Sequence, residues 1–340
     1  MEKIKRLIYL FYYLKETDFA QLNSFLRYSS TRIGKSRITI VADMVVSVFR
    51  HNISLKDYFS FRFFELSESE RKKWAGTGFM YQFQLRMNPK GNREVLEDKI
   101  RFLNHFRPFV MRSFLSLADF IGDDRKANEM LRNSSAKLVL KGSHGQIGAQ
   151  VEVVKSEDYT PSSLIEHMKS KKYDLIEEYI VQHHELMELS PSGLNTVRVF
   201  TQLHEGKVEL LGARLRISVN SAVDNMAAGN LAAPVDLNTG MVCGPGVYSD
   251  ITKQDQEFHP VTGKKIHGYI VPFWMEVIDL AEKAALLTPE NKSVGWDIAI
   301  TSTGPELVEG NHNWCKLLWQ LPVKKGLKGE LEKYISWKSC

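Results

Sequence analysis

The feature that most narrows what this chain can fold into is Val294-Gly295-Trp296-Asp297-Ile298-Ala299-Ile300-Thr301, followed by Pro305-Glu306-Leu307-Val308-Glu309-Gly310-Asn311. Two apolar runs flank Ser302-Thr303-Gly304, and a glycine-containing connection of about three to five residues is a common hairpin loop. A β-hairpin is therefore expected here. Antiparallel pairing folds Asp297, near the start of the first strand, back toward Glu309 and Asn311, near the end of the second. Two carboxylates and an amide oxygen make an incomplete oxygen shell. Mg²⁺ takes such a shell while keeping positions for water and substrate phosphates. A surface hairpin with scattered acids explains this stretch equally well on its own.

Upstream lie further signals, each ambiguous alone. Lys137-Leu138-Val139-Leu140-Lys141 reads as a strand, Gly142 to Gly148 as a glycine loop, and Ala149 to Val154 as a second strand. A P-loop and a dinucleotide fingerprint both require a helix after the glycines, which this pattern lacks. What survives is a loop whose backbone N–H groups can close on phosphates, with Lys141 at its root; a plain hairpin turn is the alternative. Glu94 to Phe106 places Leu96, Ile100 and Leu103 on one helix face, with Lys99 beside it and Pro108 ending it. By default Lys99 snorkels along that face. Ser163-Leu164-Ile165-Glu166 has the form of a capping box. Tyr173 to Val181 reads as a strand running into His183-His184-Glu185, an exit where backbone could meet an adenine edge and an acid a ribose.

Asn195 to Thr201 alternates so that Arg198 shares a side with Thr196 and Phe200, while Arg214 and Arg216 share a face of the strand Leu210 to Ile217. Arginines in a central sheet must meet anions or be costly, whereas on an edge strand they need no explanation. The polar loop Asp224 to Asn230 suits close approach of a ligand. Pro272 opens a helix to about Leu287 whose apolar stripe is core.

The totals bound the alternatives. With 340 residues, 43% hydrophobic and 25% charged, the chain is a globular protein with room for two or three packed layers or domains. A net charge of +5 with interspersed signs gives little support to nucleic acid as a partner. Three widely spaced cysteines offer neither a disulfide framework nor zinc spacing, which suits a reducing compartment, and a cytoplasmic protein is expected. The longest apolar run, Leu7 to Leu14, is eight residues, short of a membrane span and without a cleavage site behind Lys3, Lys5 and Arg6. A helix buried against the body explains that start; peripheral membrane contact is the other reading. Residues 1 to about 75 read as mainly helical, with a loop around Tyr28 to Gly34 and a helix start at Ser67.

The order of these pieces resembles the ATP-grasp superfamily, and more closely its sugar-transfer-associated family. Lys141-Gly142-Ser143-His144-Gly145, Asn195-Thr196-Val197-Arg198, Gly295-Trp296-Asp297 and Glu309-Gly310-Asn311 carry the likeness, over about residues 94 to 322. The resemblance implies an α+β fold in which two subdomains grip ATP between antiparallel sheets. Its divisions are a helical region at 1–90, a helical lead-in at 91–135, a small subdomain at 136–181, a large subdomain with the metal site at 182–325, and a tail at 326–340.

By the same resemblance Lys99 and Lys141 hold nucleotide phosphates, with Ser143, His144 and Gly145 in the lid loop. Backbone at Glu178, Tyr179 and Ile180 reads adenine beside Glu177. Glu185 takes the ribose, with His184 as the alternative. Asn225 meets phosphate or substrate, and Asp297, Glu309 and Asn311 hold Mg²⁺. Arg198, Arg214 and Lys141 carry catalysis. The implied reaction is an ATP-dependent carboxylate–amine ligation through an acyl phosphate. It joins a small acid and an amine, such as an amino acid and a cell-surface sugar or its precursor. A small-molecule kinase and a non-catalytic nucleotide-binding component of a polysaccharide assembly are the alternatives. The oligomeric state is left open.

Overall fold

The computed structural model describes residues 18–144, 151–221 and 225–335. The basic, apolar start before Asp18, Gly145 with the rest of the glycine loop, and the last five residues lie outside them.

Helices Phe19–Ile33, Arg37–His51, Leu55–Ser60 and Glu68–Arg71 begin the described chain, each at a side-chain cap: Asp18, Ser36, Ser54 and Ser67 accept hydrogen bonds from first-turn N–H groups. Such a cap stabilises a helix by about 1 kcal/mol. The expected loop at Tyr28 to Gly34 is helical through Ile33, and the turn is confined to Gly34–Ser36, where Gly34 takes φ +67° and its N–H donates to Ser30. Serines and a threonine in that stretch suggested a loop. Burial of Phe25 and Ser29 against the next helix overrides that local preference.

The expected Glu94–Phe106 helix is two pieces, Glu94–Glu97 and Lys99–His105, because Asp98 leaves helical geometry to cap Ile100 and Arg101. Likewise Thr160, with Pro161 behind it, caps the helix Pro161–Lys171 and makes its capping box with Ser163; the Ser163–Glu166 pair is one turn inside.

Two antiparallel sheets follow. The first has the order β1 (Phe114–Ser116), β4 (Leu175–Glu178), β2 (Lys137–Lys141), β3 (Val151–Lys155). Residues 91–135 thus contribute a strand as well as helices. Leu138, Leu140, Val154 and Ile176 pack on one side against Phe120, Met130, Leu164 and Met168 of three helices. The second sheet runs β7 (Leu231–Val235), β6 (Lys207–Ile217), β5 (Thr196–His204), β8 (Ser293–Thr301), β9 (Gly304–Asn311). β8 and β9 are the expected hairpin. Val197, Val199, Ala213 and Leu215 face the helix Trp274–Leu287. The opposite face is aromatic at one end, where Phe200 meets Trp314, Phe79 and Phe83, and charged along the rest. The expected tail is partly built in: Leu331 and Ile335 are buried in that aromatic cluster.

Candidate functional site

One cross-strand row on the charged face organises the site. Arg198 of β5 stands opposite Arg214 of β6 and Asp297 of β8; Arg214 stands opposite Pro234, and Asp297 opposite Glu309. Directly opposed residues in antiparallel strands project to the same face. β5 and β6 are interior strands, so these arginines are not edge decoration.

Asp297 is buried and held by two guanidiniums. Arg198 grips both its oxygens, through Nε and, at 2.6 Å, through Nη2; Arg216 Nη1 adds a bond at 2.5 Å. Burial opposes ionisation of Asp297, but the two arginines outweigh it and hold its pKa far below the ordinary carboxylate range. Gly295 makes this possible: a Cβ there would stand 2.8 Å from Trp314 Cβ and 3.1 Å from Arg198 Cδ.

Glu309 keeps 48% of its side chain open, with its carboxylate 3.8 Å from Arg198. The surrounding protein and the adjacent Asp297 carboxylate raise its pKa, against the pull of Arg198 and Arg216. Asn311 donates its amide N–H to Glu309 at 3.1 Å. The three side chains expected to converge are neighbours, with Asn311 turning its amide nitrogen rather than its oxygen toward Glu309. Two carboxylates close enough to share a proton are a donor pair whose repulsion a divalent cation relieves, and the set fits Mg²⁺ in that sense. Among the described residues no group of three His, Cys, Asp or Glu is placed to hold a metal.

The first sheet brings the lysines. Lys141, ending β2, lies 2.9 Å from Glu177 on β4. Lys99 opens its helix with its N–H on the Ser143 carbonyl at 3.0 Å and its Nζ 3.4 Å from the same oxygen. Partial burial lowers the Lys99 pKa, with Lys141 adding to the effect and Glu309, Glu177 and Asp174 opposing it. Lys99 therefore sits within electrostatic reach of both sheets. Ser143 is pinned by Asp174, which accepts from its N–H and its hydroxyl at 2.5 Å each. His144 is largely exposed, 3.7 Å from Asp98.

Glu177 is an ion-pair hub. Besides Lys141 it accepts from Arg112 Nε at 2.6 Å, and Arg112 Nη1 reaches Glu306 of β9 at 2.9 Å. All three are buried. Burial pushes Glu177 up, but Lys141 and Arg112 outweigh it and bring its pKa down to about 2. Of the expected adenine backbone, the N–H groups of Glu178 and Tyr179 donate to Ser113 and Lys137, while Ile180 N–H has no partner among the described residues. Glu185 lies exposed in the first turn of the helix His184–Leu189. It is near the Tyr269 hydroxyl, which is buried without a hydrogen bond and whose pKa is raised by burial and by the charges of Glu185 and Glu188. Asn225 spends its side-chain oxygen capping the turn Met226–Ala228.

Arg214 differs from its neighbours. It is buried, donates only to the carbonyls of Ala213 and Trp319, leaves Nε unpaired and meets no carboxylate among the described residues. Burial lowers its pKa to about 10. Two cavities, of about 450 Å³ beside Tyr28, Arg62 and Lys253 and about 290 Å³ beside Gln202 and Tyr334, share no residue with this cleft.

Sequence reasoning did not single out Arg112, Asp174 or Tyr269, which follow no spacing. Arg216 was visible as the face-mate of Arg214 but not as a partner of Asp297.

Two antiparallel sheets are tied by the Arg112 ion pairs, with Lys99 and Lys141 beside the first and Arg198, Arg214, Arg216, Asp297 and Glu309 on the second. The model of the sugar-transfer associated ATP-grasp family matches residues 79–335, and the chain belongs to that family. No curated protein matches it. Among solved structures it is similar to an ATP-grasp ligase, PsnB, complexed with a phosphomimetic variant of its minimal precursor, Mg and ADP. There the identity is 13%, with 75% of this chain and 66% of that one covered and a TM-score of 0.42. It is also similar to carboxyaminoimidazole ribonucleotide synthase from Aspergillus clavatus complexed with ATP (13%, 66% and 47%, 0.42). A third likeness is to an L-amino acid ligase from Bacillus licheniformis (12%, 65% and 41%, 0.38). The chain thus spans between 41% and 66% of the length of these three.

Proposed function

We propose that this protein is an ATP-dependent carboxylate–amine ligase, with residues 136–181 and 182–325 as the two jaws around the nucleotide. The observation that carries the proposal is the convergence of Lys99, Lys141, Arg198, Arg214 and Arg216 on a cleft whose floor holds Asp297 and Glu309. A polyphosphate needs that excess of cations over acids. Lys99 and Lys141 would bind phosphate oxygens, Lys141 exchanging part of its pairing with Glu177 for them. Ile180 N–H is free to meet the adenine edge, and Glu185 is our choice for the ribose. A magnesium ion held by Asp297, Glu309 and Asn311 would neutralise charge on the β- and γ-phosphates.

In the first step a substrate carboxylate oxygen attacks the γ-phosphorus, and the bond to the β,γ-bridging oxygen breaks to release ADP. An amine nitrogen then attacks the acyl carbon, loses a proton and displaces phosphate. The protein's part in both steps is to position groups and offset charge. Arg198, fixed bidentately on Asp297, orients that carboxylate. Arg214, a buried cation without a counter-anion among the described residues, is the group to meet the transferred phosphoryl and the tetrahedral oxyanion.

We further propose an amino acid or similar acid as one substrate and a cell-surface sugar or its precursor as the other, with the reaction in the cytoplasm. The family's association with sugar transfer supports this choice. The test is turnover with added hydroxylamine. A hydroxamate with ADP supports ligation, whereas a phosphorylated alcohol without hydroxamate identifies a kinase, and ADP formation from neither substrate class sinks both.

A further inference from the structure

The helix Arg37–His51 has two apolar sides. Ile40, Met44 and Val48 are buried against Phe25, Phe59 and Phe63. The other side should be polar, because a surface helix keeps one apolar stripe and turns charge to water. Instead it carries Ile38, 83% exposed, with Val41, Val45 and Val46 also exposed and Ala42 among them. At about 100° per residue these five adjoin one another with no charge between them. A contiguous exposed apolar patch of this kind marks an interaction site.

Charge says what it meets. From Phe19 to His51 the chain holds Arg27, Arg32, Lys35, Arg37 and Arg50 against one acid, Asp43. Five cations less one acid is +4, of the +5 carried by all 340 residues. Asp43 is itself taken by Arg71 at 2.7 Å, and Arg32 and Arg50 pair with Glu65 and Glu68 at 3.1 and 3.4 Å, so the cations left without an ion pair among the described residues are Arg27, Lys35 and Arg37. Exposed Lys35 and Arg37 stand directly before Ile38. Bringing two copies of the face beside Lys35 and Arg37 together would oppose like charges, so self-association is disfavoured. An anionic lipid surface satisfies both features at once: apolar side chains enter the headgroup boundary while cations meet lipid phosphates. No helix among the described residues is long and apolar enough to cross a membrane, so the contact is one of lying on the surface.

We propose that the face Ile38–Val41–Val45–Val46, rimmed by Lys35 and Arg37, docks this protein on an anionic bilayer. None of these residues belongs to the cleft, and the inference stands whether or not the ligase reading does.

The test is co-sedimentation of the full chain with vesicles of phosphatidylcholine mixed with phosphatidylglycerol, and of phosphatidylcholine alone. Binding is expected only to the anionic vesicles and should weaken with salt. Lys35→Ala with Arg37→Ala should lower affinity roughly 25-fold, each cation being worth about fivefold at such a surface. Val41→Glu with Val45→Glu should abolish binding while circular dichroism and ADP release stay unchanged. Equal binding to neutral vesicles, or full binding by both double variants, overturns the proposal. So does a wild-type dimer in solution that Val41→Glu with Val45→Glu dissociates, because the face would then be a self-association surface.

Discussion

Replacing Asp297 by Asn and Glu309 by Gln removes one carboxylate charge each from the same pair of opposed residues, yet the two changes should behave differently. Asp297 is buried between Arg198 and Arg216. Taking away its charge leaves two guanidiniums without their anion, and breaking a buried ion pair from one side costs about 3–5 kcal/mol. Asn keeps the volume and one acceptor, so the lower end applies. At about 2 °C for each kcal/mol in a chain this long, the melting temperature should fall by roughly 6 °C. Glu309 is half exposed, and its charge is disfavoured by the surrounding protein and by the adjacent Asp297 carboxylate. Gln at that position relieves repulsion, so its melting temperature should stay level or rise. Both variants should release ADP at least roughly 100-fold more slowly, each having lost an oxygen charge needed opposite the phosphates. Calorimetry and a coupled ADP assay on both variants suffice. Wild-type turnover by Glu309→Gln would refute the metal assignment. A Glu309→Gln loss in stability as large as that of Asp297→Asn would refute the like-charge argument.

Lys141→Ala should weaken ATP binding while leaving Glu177 with Arg112 alone; unchanged nucleotide affinity by calorimetric titration excludes Lys141 as a phosphate ligand. Glu177 has its pKa brought from 4.5 to about 2 in the fold, so its contribution of about 3 kcal/mol is present above pH 4.5 and is lost as pH falls toward 2. Glu177→Gln should therefore be less stable than wild type at pH 7, with the gap narrowing on acidification; a gap constant with pH contradicts the pairing. Gly295→Ala should force Arg198 or Trp314 aside, at about 1–3 kcal/mol, and lower ADP release with it. Unaltered melting and turnover would mean that the close approach at Gly295 has no consequence.

The hairpin of β8 and β9 was legible because its signal is local: two apolar runs, a short turn and acids at matching distances from it. The alternation of Arg198 with Thr196 and Phe200 was legible for the same reason, since strand period alone fixes the face. What local pattern could not supply was who meets whom across the sheet. Arg216 and Asp297 are 81 residues apart, and only strand order brings them together. Arg112 lies in irregular chain before β1, where neither period nor cap marks it. Ser29 and Thr31 suggested a loop because their hydroxyls compete for backbone bonds, and tertiary burial overrode that preference. The cleft's lysines were found by order along the chain; their shared electrostatic field belongs to the folded state.

Arg112 has a mechanical consequence. It fastens Glu177 of one sheet to Glu306 of the other with all three charges closed to water. Parting the jaws at that rivet would strand ions in a dry interior. A motion of the first sheet that kept this rivet closed would turn about it, with β1 and β4 near the fulcrum and β3, at the far edge, moving most.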